Sequence, residues 1–586
     1  MWFRFLKSFP PSLATHTAGV VDVRLRFTFV SLYQCRPISE IIRPRERTEN
    51  FYFSYILQKR MGASLSRKKE WSPGDDNSAR SNVTSKSKSE QSNDLVERVV
   101  CAIDDLKDGE MKVFELDKDG SVLLVKEGGN FTAVGTKCTH YGAPLVKGVL
   151  CEGMIRCPWH GACFSARTGD IEDFPGLDSL PTYKVRSGAG QACIETLRQE
   201  GFRGRLILVT KEKHTPYDRP KLSKVLNAQA EDLLLRNQDW YKDADVEVQY
   251  EKEVTAIDGE KKVISCKDGS IINYDSLMIA TGGRPRILDV PGKNLAFICQ
   301  LRTPEEANYI SENSKGKKVV IVGNSFIGME GAAYLAGKAH SVTVVGRTEI
   351  PFLPVLGELV GGRLMKLFQE NGIKFVTASG VSHFNGKDGN LCEVVFTDNQ
   401  CLPADLCILG IGVTPSTDFL KDSGIKVNEQ GQIIVDKYMQ TNKEGVFAAG
   451  DIVNFPLSVL ENQEVNIGHW QIAHVHGRTA ALNLLGKKQE LHTVPFFWCM
   501  VFGKSIRYAG YGAGFDDVII DGSLDDLQFV AYYTRETSVV AVATVGKDPV
   551  ASQFAAYLYS GKTLTKCEIM NDPKAWLMKV PPGGIY

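Results

Sequence analysis

Two short stretches of this 586-residue chain carry side chains that hold metal. "CTHYGAPLVKG" at 138–148 places Cys138 and His140 two positions apart, and "CPWHGACFSARTGD" at 157–170 places Cys157 and His160 three apart. Alone, each is an ordinary core cysteine or surface histidine. Together, beside glycine-containing turns, they form a CxH…CxxH donor set on two loops. Two thiolates and two imidazoles can hold zinc tetrahedrally.

A second chemistry lies at 315–352, "KGKKVVIVGNSFIGMEGAAYLAGKAHSVTVVGRTEIPF". The apolar strand "VVIVG" runs into Gly323-x-Ser325-x-x-Gly328, then a helix, then the strand "SVTVVG". In such a βαβ unit the glycines permit the tight turn and close helix–sheet contact, and the helix N-terminus faces a pyrophosphate. Ser325 adds a side chain where backbone approaches phosphate, which weakens the expected binding without abolishing it. The second strand ends in Gly346 and Arg347, not in the acid that grips an NAD ribose. No carboxylate there repels a 2′-phosphate and a guanidinium lies beside it, so NADP(H) is a candidate with NADH. Arg347 reads equally as an ordinary surface residue.

The elements that must position these groups are legible around them. Short strands, "MKVFEL", "SVLLVKE" and "FTAVGT", lead into the first metal loop. Three further segments end strands or make turns where a dinucleotide could bind. "YDSLMIATGGRPR" (274–286) ends in Thr281-Gly282-Gly283, "TNKEGVFAAGD" (441–451) ends in Gly450-Asp451, and "TPYDRPKLSK" (215–224) holds Arg219 and Lys224 in a proline-restrained turn. Any one of them alone also fits an unrelated α/β fold.

Composition narrows the class. Hydrophobic content of 43% and charged content of 24% are those of a soluble multidomain protein. Lys+Arg and Asp+Glu are both 69, so no net field favours nucleic acid or an anionic membrane. Fourteen scattered cysteines without a CxxC pair argue against a secreted disulfide scaffold. No apolar run approaches the roughly 20 residues that span a bilayer. Residues 1–60 differ from the rest. "MWFRFLKSFPPSLATHTAGVVDVRLRF" has Arg and Lys among aromatics and one acid, Asp22, which fits either a mitochondrial presequence or an extension without function. Met61 opens "MGASLSRKKE"; a chain begun there would expose Gly62 for myristoylation beside Arg67, Lys68 and Lys69, making it cytosolic with peripheral membrane contact. Residues 70–96 are Ser- and charge-rich and read as a flexible linker.

The metal loops resemble those of Rieske [2Fe–2S] proteins over residues 97–186, a likeness that implies two cysteines on one iron and two histidines on the other. Respiratory-type Rieske sites carry a further cysteine in each loop and hydroxyls beside the cluster. Here Ala143 and Trp159 occupy the first positions, and Ala162 and Phe164 the second. Fewer hydrogen bonds to cluster sulfur imply a low, ferredoxin-type potential. From 187 onward the order of segments resembles two-dinucleotide-binding flavoprotein reductases. "PYDRPKLSK", "TVPFFWCMVFGKSIRYAGYG" and the fused cluster domain make it most similar to apoptosis-inducing-factor-like proteins with an N-terminal Rieske domain.

That resemblance implies a small all-β Rieske domain, an α/β two-dinucleotide-binding flavoprotein fold and an α+β C-terminal domain. The boundaries expected are 1–96 targeting or disordered, 97–186 Rieske, 187–300 and 426–490 FAD-binding, 301–425 NAD(P)-binding, and 491–586 interface. The cofactors implied are FAD, NAD(P)H and a [2Fe–2S] cluster. Asp451 would accept from the ribityl chain and Arg219 would contact the FAD pyrophosphate region. Lys224, paired with Glu330, would sit near flavin N5 and stabilise charge developing there. Trp498 would close over the flavin, Val254 would meet adenine, and Thr281 and Gly282 would end a strand at the cofactor. Flavin accepts two electrons and releases them singly, so it belongs between a hydride donor and a one-electron cluster. The expected function is an NAD(P)H-dependent oxidoreductase feeding its own Rieske centre and an acceptor the sequence does not name. A redox-sensing, pro-apoptotic regulatory protein with little turnover is the alternative.

One junction breaks the pattern. "TYKVRSGAGQACIETLRQEGF" (182–202) passes from a β-domain end directly into a nucleotide-binding helix. Gly190 fits the third glycine of the FAD turn, but the first two positions fall on Val185 and Ser187. The expectation is an in-frame omission of the last Rieske strand, the linker, the first FAD strand and its leading glycines. Polar "YKVRS" cannot stand in for a buried strand, so this chain should bind FAD poorly.

Overall fold

The computed structural model describes residues 54–58, 95–99, 106–115, 121–128, 130–167, 169, 171–173 and 188–580. The chain divides into two compact units, Met1–Thr132 and Ala133–Tyr586. This division falls inside the region expected as one Rieske domain, and both ligand loops belong to the larger unit. In the smaller unit Ser54–Gln58 pairs antiparallel with Leu95–Val99, and Met111–Glu115 with Ser121–Glu127. The first pairing falls largely within 1–96: "SYILQ" and "LVERV" are short β-prone runs among serines and charges. The Met61 start, most of the 1–60 extension, the bulk of the linker, and 174–187 with Val185 and Ser187 lie outside the described residues.

The larger unit opens with a four-stranded antiparallel meander, Val149–Cys151, Met154–Arg156, Cys163–Ser165 and Ile171–Asp173. The second ligand loop joins its middle strands. The nucleotide-binding region contains helix α1 (Ala189–Gln199) and strands β1 (Leu206–Val209), β2 (Val246–Gln249), β3 (Leu277–Ile279), β4 (Ile298–Cys299) and β5 (Lys318–Val322). Helix α2 (Phe326–Leu335) and strands β6 (Ser341–Val345), β7 (Ile373–Val376), β8 (Leu406–Leu409) and β9 (Val446–Ala448) complete it.

One parallel sheet runs β4-β8-β5-β6-β7. Val319–Val322 are buried because the central strand of such a sheet is covered on both faces, hence the unbroken apolar run in sequence. The other nucleotide-binding half is divided. β1 pairs with β2 and β3 pairs with β9, all parallel, and among the described residues no strand joins the two pairs. Each half has a leading helix, α1 or α2, but only α2 follows a described strand.

Helix α1 packs on α3 (Trp470–Leu484), where Gly477 lets the backbones meet: a Cβ there would lie 2.2 Å from the Ala189 carbonyl oxygen. The C-terminal part is a five-stranded antiparallel sheet crossed by the helix Val550–Tyr559. Its strand Gln528–Arg535 reads "QFVAYYTR" because both faces are buried. Phe529, Ala531 and Tyr533 join the core of the nucleotide domain, while Val530 and Tyr532 face Phe554 and Trp576.

Candidate functional site

The two ligand loops repeat one construction. The Cys138 amide donates to the Ala143 carbonyl at 2.8 Å and the Gly142 amide to the Cys138 carbonyl at 2.9 Å. In the second loop the Cys157 amide donates to Ala162 at 2.6 Å and the Gly161 amide to Cys157 at 3.2 Å. Gly142 and Gly161 close these rings with φ of 76° and 74°, conformations that L side chains rarely adopt. All four donors are buried. The Nδ1 atoms of His140 and His160 stand 2.9 Å apart. Contact with Cys157 and then burial hold the Cys138 thiol well above its ordinary value. Burial works to raise Cys157 too, but the Cys138 thiol, the His160 and Trp159 amides and the Arg507 charge outweigh it and lower that group. Burial, with Arg507 and Lys224 nearby, pushes His160 down to about 3, so its imidazole is the neutral, ligating form.

Among the described residues no three His, Cys, Asp or Glu side chains gather at one metal position. The donors form a sulfur pair and a nitrogen pair. That suits a two-iron centre with one pair on each metal, and disfavours a single tetrahedral zinc. Ala162 and Phe164 are fully buried beside the ligands, so no side-chain hydroxyl comes from either, and Cys138, Cys151, Cys157 and Cys163 are all unbridged.

These loops are fastened to the C-terminal sheet. Arg507 donates to the Trp159 carbonyl and pairs with Asp548, and the Ser552 hydroxyl donates to the Cys157 carbonyl at 2.9 Å. Phe496 lies so close that a Cβ at Gly161 would be 2.8 Å from its ring. From the same strand, Phe496–Val501, the Trp498 ring centroid lies 4.5 Å from that of His160 and 5.2 Å from that of His140.

Trp498 also lines a cavity of about 1400 Å³. Lys224, Glu330, Arg219 and Asp451 reach it at one end, with Thr281 and Gly282 beside them; Gly190 and Val254 line it as well. Lys224 Nζ stands 3.0 Å from the buried Glu330 carboxylate, which also accepts from the Ser223 hydroxyl and faces the Cys499 thiol. Burial raises Asp451 above the usual carboxylate range against the opposing charges of Arg302 and Arg219. Arg302 approaches Asp451 at 3.8 Å and passes over Gly282, whose Cβ would lie 3.1 Å from its Nη2. Arg219 is committed to Glu212, the Tyr217 hydroxyl and the Arg302 carbonyl.

The nucleotide turn stands apart from that grouping. Gly323 has φ of 117°, and its Cβ would lie 2.2 Å from the Gly410 carbonyl oxygen; a Cβ at Gly328 would lie 2.1 Å from the Gly323 carbonyl oxygen. Three backbones therefore meet where only glycine fits. Ser325 caps α2 with its side chain exposed. Asn324 fills the space over Gly346, where a Cβ would lie 2.1 Å from its Nδ2, so a side chain at that position requires Asn324 to shift. Arg347 is exposed at the end of β6.

Residues 97–184 match the Rieske [2Fe-2S] domain, 187–477 the pyridine nucleotide-disulphide oxidoreductase family, and 496–580 the reductase C-terminal domain. Apoptosis-inducing factor 3 of Homo sapiens is 47% identical, with 81% of this chain and 86% of the relative covered. The chain belongs to the apoptosis-inducing factor 3 family of pyridine nucleotide-disulphide oxidoreductases. Rhodocoxin reductase of Rhodococcus erythropolis is 32% identical over 61% of this chain and 85% of its own length. The covalent putidaredoxin reductase–putidaredoxin complex superposes with a TM-score of 0.64 at 27% identity, covering 67% of this chain and 96% of that one. Membership makes the chain an NAD(P)H-dependent flavoprotein oxidoreductase whose family cofactors are FAD, NAD(P)H and a [2Fe–2S] cluster. The human match runs over 521 residues, whereas 81% of this 586-residue chain is about 475. The relative therefore carries roughly 45 residues within the matched stretch that this chain lacks.

The family's cluster fits the paired donors. Its flavin fits the part of the cavity wall built by Lys224, Glu330, Arg302 and Asp451, whereas the segment that would form the dinucleotide turn before Gly190 lies outside the described residues. Beside α2 the third glycine, Gly328, touches the strand–turn before it; beside α1, among the described residues, a Cβ at Gly190 would meet Ala280 Cβ at 3.8 Å. Sequence reasoning missed Arg302, Ser223, Asn324 and Arg507. Arg302 had a local signal, since it precedes the Thr303–Glu306 capping box. The others act through contacts that no local pattern marks.

Proposed function

We propose that this chain takes electrons from NAD(P)H and delivers them to its own Rieske centre across Trp498. The observation that carries the reading is the indole of Trp498, which lines the flavin cavity with one side and meets the rings of His140 and His160 with the other. Flavin, when bound, supplies the conversion from a two-electron donor to a one-electron acceptor. Cys138, Cys157, His140 and His160 would hold the cluster. Lys224, oriented by Glu330, would present positive charge to the flavin ring, and Asp451 and Arg302 would orient its side chain. Gly323 and Gly328 would seat the nicotinamide nucleotide and Arg347 would meet its ribose. The putidaredoxin reductase neighbour is a covalent complex with putidaredoxin, a separate partner; here the Rieske domain belongs to the same chain, its second loop bonded by Arg507 and Ser552. The 1–60 composition favours a mitochondrial address.

The test is anaerobic mixing of the purified full chain with NADPH or NADH at saturating FAD, with cluster reduction followed by electron paramagnetic resonance. Prompt appearance of the reduced Rieske signal is expected, slowed about tenfold or more in Trp498→Ala. A nucleotide-reduced flavin beside an oxidised cluster would overturn the internal route. Stable charge-transfer absorption with negligible turnover would favour the regulatory, pro-apoptotic reading.

A further inference from the structure

The two nucleotide-binding halves of this chain provide their own internal comparison. In the second half β5 sits at the centre, flanked by β6 and β8, and its turn packs into Gly328 and Gly410. In the first half the counterparts of β6 and β8, by their places before and after a three-stranded antiparallel insertion, are β1 and β3, and among the described residues no strand lies between them. The consequences appear on both sides of the gap. Every residue of β1 is only half-buried, as are Leu277 and Met278 of β3, whereas β8, the counterpart of β3, is buried throughout. Leu206, Leu208 and Met278 line the cavity. α1 holds β1 and β2 through Ile194, Leu197 and Leu206, so the pair stays in place without its sheet partner. The shortfall of roughly 45 residues against the human relative agrees with a missing strand and turn.

The flavin-ring end is untouched by this gap. Lys224, Glu330, Arg302, Asp451 and Trp498 come from later segments, held by β9, α2 and the C-terminal sheet. The elements lacking among the described residues are those that would cradle the pyrophosphate and lock the adenosine wall formed by β1 and Val254.

We propose that this chain is a flavin half-site: it recognises the isoalloxazine and ribityl portion shared by FAD and FMN and has lost selectivity for the AMP portion of FAD. The inference rests on the reading of this cavity as the flavin site.

The test is equilibrium titration of the purified full chain, freed of flavin by dialysis, with FAD, FMN and riboflavin, read by flavin fluorescence and visible absorption. FAD and FMN are expected to bind with dissociation constants less than about tenfold apart. Asp451→Asn should weaken both together. A second chain carries a copy of Lys318–Ile327, with Gly in place of Ser325, placed directly before Gly190 behind a flexible linker from Asp173. It should regain a preference for FAD of about a hundredfold or more over FMN. The proposal is overturned if the unmodified chain keeps stoichiometric FAD through dialysis, prefers FAD by tenfold or more, or binds no flavin. Binding isotherms need no turnover, so failure here is distinct from failure of the electron route, which is read at the cluster.

Discussion

Arg347 stands exposed at the end of β6, beside Gly346, which carries no side chain and is covered by Asn324. A free guanidinium in that position is worth most to a ligand carrying a 2′-phosphate. Arg347→Glu should therefore weaken NADPH by about tenfold or more while changing NADH much less, measured by stopped-flow flavin reduction at saturating FAD. Equal effects would return Arg347 to an ordinary surface role. At the cluster, Phe164 is fully buried in the strand after the second ligand loop. With neither Ala162 nor Phe164 able to donate to cluster sulfur, voltammetry should give a potential toward the low end of roughly −150 to +300 mV. Phe164→Tyr should raise it, because a hydroxyl there stabilises the more negative reduced cluster.

At the scale of elements, the helix Trp470–Leu484 carries two fully buried histidines. His476 Nδ1 accepts the Gly450 amide at 3.3 Å, which requires an unprotonated nitrogen. Burial pushes His474 and His476 down to about 3 and His469, at the helix N-cap, down to about 4. These groups are depressed on folding, so the unfolded chain binds more protons below its own histidine value near 6.5. Stability is then highest above pH 6.5 and declines on acidification, by about 1.4 kcal/mol for each group one unit lower. The urea midpoint should fall between pH 7 and 5, and His476→Gln should flatten that slope. The divided sheet makes its own prediction. Amides of β1 should exchange with solvent about a hundredfold or more faster than those of β5, because among the described residues β1 has a strand partner on one side only. Equal protection would mean that another segment completes the sheet.

For the whole molecule, the decisive contact is between cluster loops and C-terminal sheet. Arg507 reaches the Trp159 carbonyl across 348 positions of sequence and is itself steadied by Asp548. Arg507→Ala should slow cluster reduction by about tenfold while nucleotide reduction of bound flavin stays near its original rate. A parallel loss of both would mean that the substitution damages the reductase fold instead of the docking of the cluster.

Cys138, His140, Cys157 and His160 were legible because metal chemistry depends on residue types at short spacing, and Gly323 and Gly328 because a tight turn excludes side chains locally. The polar run before Gly190 likewise pointed to a missing strand, since a central parallel strand must be apolar on both faces. The sequence alone thus determined the donor set, the domain order and the anomalous junction. Tertiary structure decided how those parts meet. It paired sulfur with sulfur and nitrogen with nitrogen, set Trp498 between the histidines and the cavity, and bound Arg219 to Glu212. It also assigned the alternate faces of "QFVAYYTR" to two different cores. Such contacts join residues far apart along the chain, and hydrophobic period and turn chemistry act over only a few residues, so neither can record them.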